Sequence, residues 1–282
     1  MKRLFIYCMA LMVMGSGCKK SETETNLPAQ QFLDVAYGGD VQQKMDIYLP
    51  AGRTTATTKA LILIHGGAWV SGDKVEMNDA ITTFKTLLPD YAFFNINYRL
   101  ATTGGNLWPT QLNDVDAAVN FIINRSDEYK FNKNLMAIGG ASAGAHLALL
   151  QAYKSNNGNF KAAVDLFGPT DMKDLYNTSN ANTQFVLGLF MGGIPASNPI
   201  AYTNASPLFA VNSNSVPTII LHGTADNVVP VHQSDSLNNR LANAGVTKQY
   251  EKYTGEGHGV WSTTNTTDAF TKIAAFLKLH VK

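Results

Sequence analysis

The chain has 282 residues, of which 45% are hydrophobic and 15% are charged, enough for one large globular domain with a sizeable core. Its formal net charge is +1 and it has no long basic or acidic run, which argues against a nucleic-acid partner. Its two cysteines, Cys8 and Cys18, both precede the folded domain, which excludes a disulfide framework or a thiolate metal site there.

The first residues have the features of an export signal. Lys2 and Arg3 precede the apolar run LFIYCMALMVMG, which is too short to span a membrane comfortably. The run ends in Gly-Ser-Gly-Cys, which resembles the bacterial lipobox, where small residues precede a cysteine that becomes lipidated and N-terminal.

We therefore expect a lipoprotein signal peptide over residues 1–17, a lipid on Cys18 and a polar tether over residues 18–30. The protein would be exported to the periplasm or cell surface and held at the membrane by this anchor alone. An ordinary secretory signal with an incidental cysteine is the alternative.

The rest of the chain alternates strands and helices. Two strands are predicted first, over residues 30–38 and 43–50. Buried apolar runs follow at residues 60–65, 91–98, 134–140, 162–168, 217–223 and 248–254. Helices are predicted over residues 111–124, 143–153, 233–244 and 268–281. This pattern is typical of a parallel sheet covered on both faces, so we expect an α/β fold with eight strands.

Residues 170–210 interrupt this alternation. They are rich in Asn, Gly and Pro and contain one short apolar segment, FVLGLFMGG. A long insertion at this point is more typical of a lid or pocket wall than of a separate domain. One domain is therefore expected over residues 31–282, with the insertion before the strand at residues 217–223.

The segment Gly140-Ala141-Ser142-Ala143-Gly144 stands between an apolar strand and an apolar helix. It matches G-x-S-x-G, in which a serine on a sharp strand-to-helix turn exposes its hydroxyl. The glycines allow a tight turn, and a helix N-terminus at the serine favours developing negative charge. The alternative is that small residues here only permit close packing.

A serine hydroxyl becomes a nucleophile when an oriented base takes its proton. His258 lies in a glycine-flanked loop after the last strand, where its ring can project into a cleft. Asp226 follows the strand at residues 217–223 and is a candidate to orient that base, although a capping or Asx-turn role is the alternative. Asp171 is a second candidate acid. The order Ser142, Asp226, His258 is the one found in α/β-hydrolases.

Acyl transfer also needs hydrogen-bond donors for the oxyanion. The strand at residues 60–65 runs into His65-Gly66-Gly67-Ala68-Trp69, where glycines let backbone N–H groups approach a ligand oxygen closely. The amide of Ala143 is the natural second donor. A plain turn between strand and helix is the alternative.

From about residue 30 onward the chain resembles α/β-hydrolases of the hormone-sensitive-lipase-like esterase group, particularly the bacterial feruloyl and acetyl esterases. The resemblance rests on HGGAW, NYRL with WPTQLNDVDAAV, GGASAGAHLA, ASP at 205–207, HGTADNVVP and GEGHGVW. It implies an α/β-hydrolase fold, with a mostly parallel eight-stranded sheet and an insertion before the acid-bearing strand. It also implies these site residues: Ser142 as nucleophile, Asp226 as acid, His258 as base, the amides of Gly66, Gly67 and Ala143 for the oxyanion, and His65 to brace their loop.

The expected function is that of a serine carboxylesterase that needs no metal or organic cofactor. Its substrate would be a small-molecule or polysaccharide-linked ester, such as an acetyl or feruloyl group on a plant polymer. Trp69, Trp108 and Trp261 are candidates to line an aromatic pocket, although each is equally compatible with the core.

Two other functions stay open. HGGxW also occurs in arylformamidases, so this loop does not separate ester from formamide substrates. A surface-anchored glycan-binding lipoprotein could also keep the fold without the activity, because a fold does not by itself imply a function.

Overall fold

The computed structural model describes residues 27–282. The predicted signal peptide, the lipidation at Cys18 and most of the tether lie outside the described residues. Within the described residues, the first strand begins at Gln30.

The eight predicted strands form one mixed sheet, which confirms the predicted fold class. In sheet order the strands are β1 (Gln30–Ala36), β2 (Lys44–Leu49), β4 (Tyr91–Ile96), β3 (Lys59–Ile64), β5 (Met136–Ala141), β6 (Phe160–Leu166), β7 (Thr218–Gly223) and β8 (Lys248–Tyr253). β2 pairs antiparallel with both β1 and β4. The remaining six strands of the sheet, β3 to β8, run parallel to one another. Parallel strands bring their carboxyl ends to one edge, where α/β proteins place their ligand sites.

Helices cover both faces of the sheet. They are α1 (Asn78–Leu87), α2 (Thr110–Asn124), α3 (Ser126–Tyr129), α4 (Ala143–Lys154), α5 (Met172–Thr178), α6 (Ala181–Met191), α7 (Pro199–Asn204), α8 (Pro207–Ala210), α9 (His232–Asn243) and α10 (Thr263–His280). A short 3₁₀ helix, Lys74–Met77, leads into α1. None of the helices within residues 27–282 is long and apolar enough to cross a membrane.

The sheet separates two layers of core because successive strand side chains point to opposite faces. In β3, Ile62 and Ile64 pack with α2, α4 and α9, whereas Leu61 and Leu63 pack with α1 and α10. Buried on both faces, the central strands are nearly continuous apolar runs, which is why the sequence predicted them well.

Helix α10 begins at Thr263, five residues before the predicted start at residue 268. Its first turn is polar and carries no apolar periodicity, so only the cap marks the start: the Ser262 hydroxyl accepts from the amide of Asn265.

The insertion is helical and contains α5 to α8, none of which the sequence predicted individually. Two of these helices begin at side-chain caps, Asp171 for α5 and Asn180 for α6. Asp171 accepts from the amides of Lys173 and Asp174, so it caps a helix and does not orient the base.

Candidate active site

Ser142 occupies a strained turn between β5 and α4. Its backbone has φ of 53° and ψ of −120°, a left-handed conformation that costs a non-glycine residue about 1–3 kcal/mol. A Cβ added to Gly144 would lie 2.1 Å from the carbonyl oxygen of Ile64, and one added to Gly140 would lie 2.5 Å from the same atom. The small residues are therefore required by close packing, and this packing holds the serine in its strained turn.

The structure brings the three predicted triad residues together. Nε2 of His258 lies 2.9 Å from Oγ of Ser142, and Nδ1 of His258 lies 2.6 Å from Oδ2 of Asp226. In the neutral ring, Nδ1 donates its proton to the carboxylate and the lone pair of Nε2 faces the serine hydroxyl. This is the arrangement in which a histidine can take the proton of a serine.

Asp226 is held in place by three hydrogen bonds and by a close contact with a second histidine. Its Oδ1 accepts from the amides of Val228 and Val229, both at 2.9 Å. Its Oδ2 accepts from His258 and also lies 3.2 Å from Nε2 of His222. Burial alone would raise the pKa of Asp226, but its contacts with His222 and His258 hold it well below its usual range. The carboxylate therefore stays ionised and fixed towards His258.

His222 is a second histidine on the same carboxylate, and sequence reasoning gave it no role. It is fully buried at the end of β7. Its Nε2 also lies 2.8 Å from the carbonyl oxygen of Val229, so Nε2 carries the proton, and Nδ1 accepts from the Ser234 hydroxyl at 2.7 Å. The ring thus ties the Asp226 loop to β7 and α9.

The segment from His65 to Trp69, which we call the oxyanion loop, is oriented through one carbonyl group. The oxygen of Gly66 accepts from Nδ1 of His65 at 2.8 Å and from the hydroxyl of Tyr98 at 2.9 Å. The C=O and the following N–H of a trans peptide point in opposite directions. Fixing the Gly66 oxygen therefore directs the amide of Gly67 to the other side of the loop. His65 and Tyr98 also stack, with ring centroids 4.5 Å apart.

This loop lies directly against the serine turn. A Cβ added to Gly66 would stand 3.4 Å from Cβ of Ser142, and one added to Gly67 would lie 2.0 Å from the carbonyl oxygen of Ser71. Within residues 27–282, the amides of Gly67 and Ala143 donate to no protein acceptor. Free amides beside a serine hydroxyl are the donors that an oxyanion needs.

A mostly apolar cavity of about 170 Å³ opens onto Ser142. The loop after β3, the insertion and the Asp226 loop supply its walls, chiefly Trp69, Leu175, Val186, Leu187, Val228 and Val229. We call this space the acyl cavity.

Trp69, in the lining of the acyl cavity, is held by an aromatic stack and a hydrogen bond. Its ring stacks on Phe190 of α6, with centroids 4.3 Å apart, and its Nε1 donates to Nδ1 of His146 at 3.2 Å. Nε2 of His146 in turn donates to the carbonyl oxygen of Ala205 at 2.6 Å. Burial lowers the pKa of His146 to about 4, so the ring is neutral at pH 7. These contacts attach the insertion to α4, the helix that follows Ser142.

Comparisons with known proteins show the family to which the chain belongs. The BD-FAE family model matches residues 45–241, more than half of the chain. The chain belongs to the BD-FAE family. Esterase LipC of Mycobacterium tuberculosis is 27% identical over 239 residues, which are 80% of this chain and 59% of that protein. The chain spans between 53% and 59% of the length of LipC, LipM and LipQ, three relatives from that organism.

Two solved structures extend the comparison of this BD-FAE chain. One, described as a truncated form of a carbohydrate esterase from gut microbiota, is 28% identical with a TM-score of 0.78 and covers 90% of this chain and 97% of that one. The other, a bifunctional GH43-CE of Bacteroides eggerthii, is 29% identical with a TM-score of 0.73 and covers 88% of this chain and 38% of that one.

The three candidate tryptophans of this BD-FAE chain occupy different places. Trp69 lines the acyl cavity. Trp108 packs behind it against Phe190, with ring centroids 5.8 Å apart, and does not line that cavity. Trp261 follows His258 in the chain and lies near Phe167, with ring centroids 5.5 Å apart, in a different cleft.

Proposed function

We propose that this BD-FAE protein is a serine carboxylesterase that hydrolyses short acyl esters. The observation that carries the proposal is the continuous hydrogen-bonded line from Ser142 through His258 to Asp226, which ends at an apolar cavity beside free amides. The names of LipC and LipM, an esterase and a probable carboxylic ester hydrolase, support the same activity.

The geometry suits a two-step acyl transfer. Oγ of Ser142 attacks the ester carbonyl while Nε2 of His258 takes its proton, and Asp226 stabilises the resulting imidazolium. The amides of Gly67 and Ala143 stabilise the oxyanion. His258 then protonates the departing alcohol, and a water molecule repeats the sequence to release the acid.

The acyl cavity favours a short acyl group. A cavity of about 150 Å³ accommodates benzene, and the acyl cavity is about 170 Å³ with mostly apolar walls. An acetyl or butyryl chain fits this space. A feruloyl group is larger than benzene, because its ring also carries an unsaturated arm, a methoxy group and a hydroxyl. The size of the cavity therefore favours acetyl over feruloyl esters.

The compartment is part of the proposal. Ser16-Gly17-Cys18 and the preceding apolar run support an exported protein anchored by a lipid on Cys18. Radiolabelled palmitate incorporated into the parent and absent from Cys18→Ser would support the anchor, and equal labelling of both would refute it.

A substrate panel tests the activity: p-nitrophenyl acetate, butyrate and octanoate, methyl ferulate, acetylated xylan and N-formylkynurenine. We expect hydrolysis of the acetyl and butyryl esters and a loss of about 10⁴-fold or more in kcat for Ser142→Ala, because the triad acts as a unit. Ser213→Ala, an exposed serine far along the chain, is the matched control and should keep parental rates.

The panel also separates the alternatives. Preferential cleavage of N-formylkynurenine would favour a formamidase. A folded parent that cleaves nothing and does not react with a fluorophosphonate at Ser142 would refute the esterase and leave a glycan-binding protein.

A further inference from the structure

A second cleft begins beside the triad and is separate from the acyl cavity. It measures about 230 Å³, and its lining includes Ala141 and Gly259, the chain neighbours of Ser142 and His258. The ring of Phe167, also in its lining, lies 5.0 Å from the ring of His258. The cleft therefore opens on the histidine side of the serine.

This cleft continues into a longer groove. A further cavity of about 320 Å³ lies between α1 and α10 and shares four lining residues with the first: Asp79, Trp261, Thr266 and Phe270. We call the combined depression the α1–α10 groove. It belongs to the α1 and α10 side of the sheet, whereas Trp69, Leu175 and Leu187 of the acyl cavity belong to the other layer.

The groove is lined by hydroxyl groups and aromatic rings. Its outer part carries five threonines, Thr83, Thr263, Thr266, Thr267 and Thr271. The hydroxyls of Thr83 and Thr271 donate to backbone carbonyls of their own helices, so their oxygens remain acceptors. Trp261 donates its Nε1 to the carbonyl oxygen of Gly257 at 2.9 Å, which fixes the ring at the entrance from the triad.

The charges of the groove restrict its ligand. Glu76 and Asp79 are the charged residues among its lining, both are exposed, and no lysine or arginine joins them there. Carboxylates repel anionic ligands and accept hydrogen bonds from hydroxyl groups. Aromatic rings offer an apolar surface to the ring faces of a sugar. An uncharged, polyhydroxylated chain is not repelled by the carboxylates, can donate hydrogen bonds to them, and can pack its ring faces on the aromatic rings.

We propose that the α1–α10 groove binds the alcohol side of the substrate, and that this alcohol is a neutral oligosaccharide. The proposal rests on the esterase function above. His258 must protonate the leaving oxygen, so the alcohol stands on the histidine side of Ser142, where this groove begins. An acetylated sugar unit lies at the triad, and its unacylated neighbours extend past Trp261 between α1 and α10.

The test compares one pair of threonines on α10. Thr267 and Thr264 are both exposed, but only Thr267 lines the groove. Thr267→Arg places a long side chain in the groove, whereas Thr264→Arg adds the same charge and bulk outside it. The substrates are acetylated xylo-oligosaccharides of one to six units, with p-nitrophenyl acetate as the reference.

For the parent, we expect kcat/KM to rise with oligosaccharide length, because each further unit adds contacts in the groove. Thr267→Arg should lower the ratio of kcat/KM for the longest oligosaccharide to that for p-nitrophenyl acetate by about tenfold, the equivalent of one lost stacking or hydrogen-bonded sugar. Thr264→Arg should leave this ratio unchanged.

Rates independent of chain length, or equal ratios for the two variants, would overturn the groove proposal. A preference for acetylated oligogalacturonate over the neutral xylo-oligosaccharide would also overturn it. Failure of the parent to cleave p-nitrophenyl acetate is a different result, because it refutes the esterase function itself.

Discussion

Substituting Gly144 by alanine should destabilise the fold and impair the site together, although alanine is the better helix former. In an ordinary helix interior this change stabilises by about 1 kcal/mol. Here the new Cβ would lie 2.1 Å from the carbonyl oxygen of Ile64 and 2.4 Å from that of His65, whereas Cβ contacts under 3.0 Å essentially never occur. One of the two backbones must therefore move by about 0.9 Å, the difference between 3.0 and 2.1 Å.

Overpacking of this kind costs about 1–3 kcal/mol, which exceeds the gain in helix propensity. The backbones that must separate carry Ser142 on one side and the oxyanion loop on the other. Because a misplacement of about 1 Å can cost about 10²-fold in rate, we expect Gly144→Ala to lose about that much in kcat/KM for p-nitrophenyl acetate.

The matched control is Gly188→Ala, another glycine inside a helix, where the added Cβ meets nothing within 4 Å. This variant should gain about 0.5–1 kcal/mol and keep parental activity. Urea unfolding followed by circular dichroism gives the free energies of unfolding, and ester hydrolysis gives kcat/KM. A Gly144→Ala protein as stable and as active as Gly188→Ala would refute the packing argument.

Two further predictions concern residues around the site. Tyr98→Phe removes one of the two donors to the Gly66 oxygen, so kcat should fall about threefold to tenfold with little change in KM. The control is Tyr37→Phe, which loses a comparable hydrogen bond to the carbonyl of Asn97 and should keep the parental kcat. Equal losses of kcat in the two variants would contradict a positioning role for Tyr98. The folded-state pKa of His146, about 4 against 6.5, lies below its unfolded value, so its contribution to stability is fully present above pH 6.5 and lost as the pH falls to 4. The parent should lose about 3 kcal/mol more than His146→Gln between pH 7 and pH 4, measured by urea unfolding, and identical losses would contradict the shift.

The sequence predicted the central strands well because they carry nearly continuous apolar runs, a signal that needs no knowledge of distant partners. The run at residues 248–254 does form a strand, but most of the side chains of β8 are only half-buried, so the prediction of a buried run there was wrong. The triad residues were identified for a similar reason: each stands in a short glycine-containing segment at a strand end, and their order along the chain is diagnostic. The structure places His258 within hydrogen-bond distance of both Ser142 and Asp226.

Tyr98 and His222 were missed because their importance lies in contacts that no local pattern records. Tyr98 acts on Gly66, 32 positions away in the chain. His222 lies inside an apolar strand, where a histidine is indistinguishable from a packed core residue until the hydrogen bonds to Val229 and Ser234 are known. Buried polar groups are satisfied by tertiary partners, and only the fold shows which partners these are.

The segments that the sequence predicted least well are also the ones that wall the two clefts. The insertion supplies Leu175, Val186 and Leu187 to the acyl cavity, and the unpredicted first turns of α10 supply Thr263, Thr266 and Thr267 to the groove. Both segments carry polar and exposed residues beside those that reach the core, because some of their side chains face a cavity or solvent. Sequence patterns report what the core requires, so departures from them concentrate where residues meet a ligand. The acyl and alcohol preferences of this protein should therefore be separable by substitutions in the insertion and in α10, with the sheet and the triad left intact.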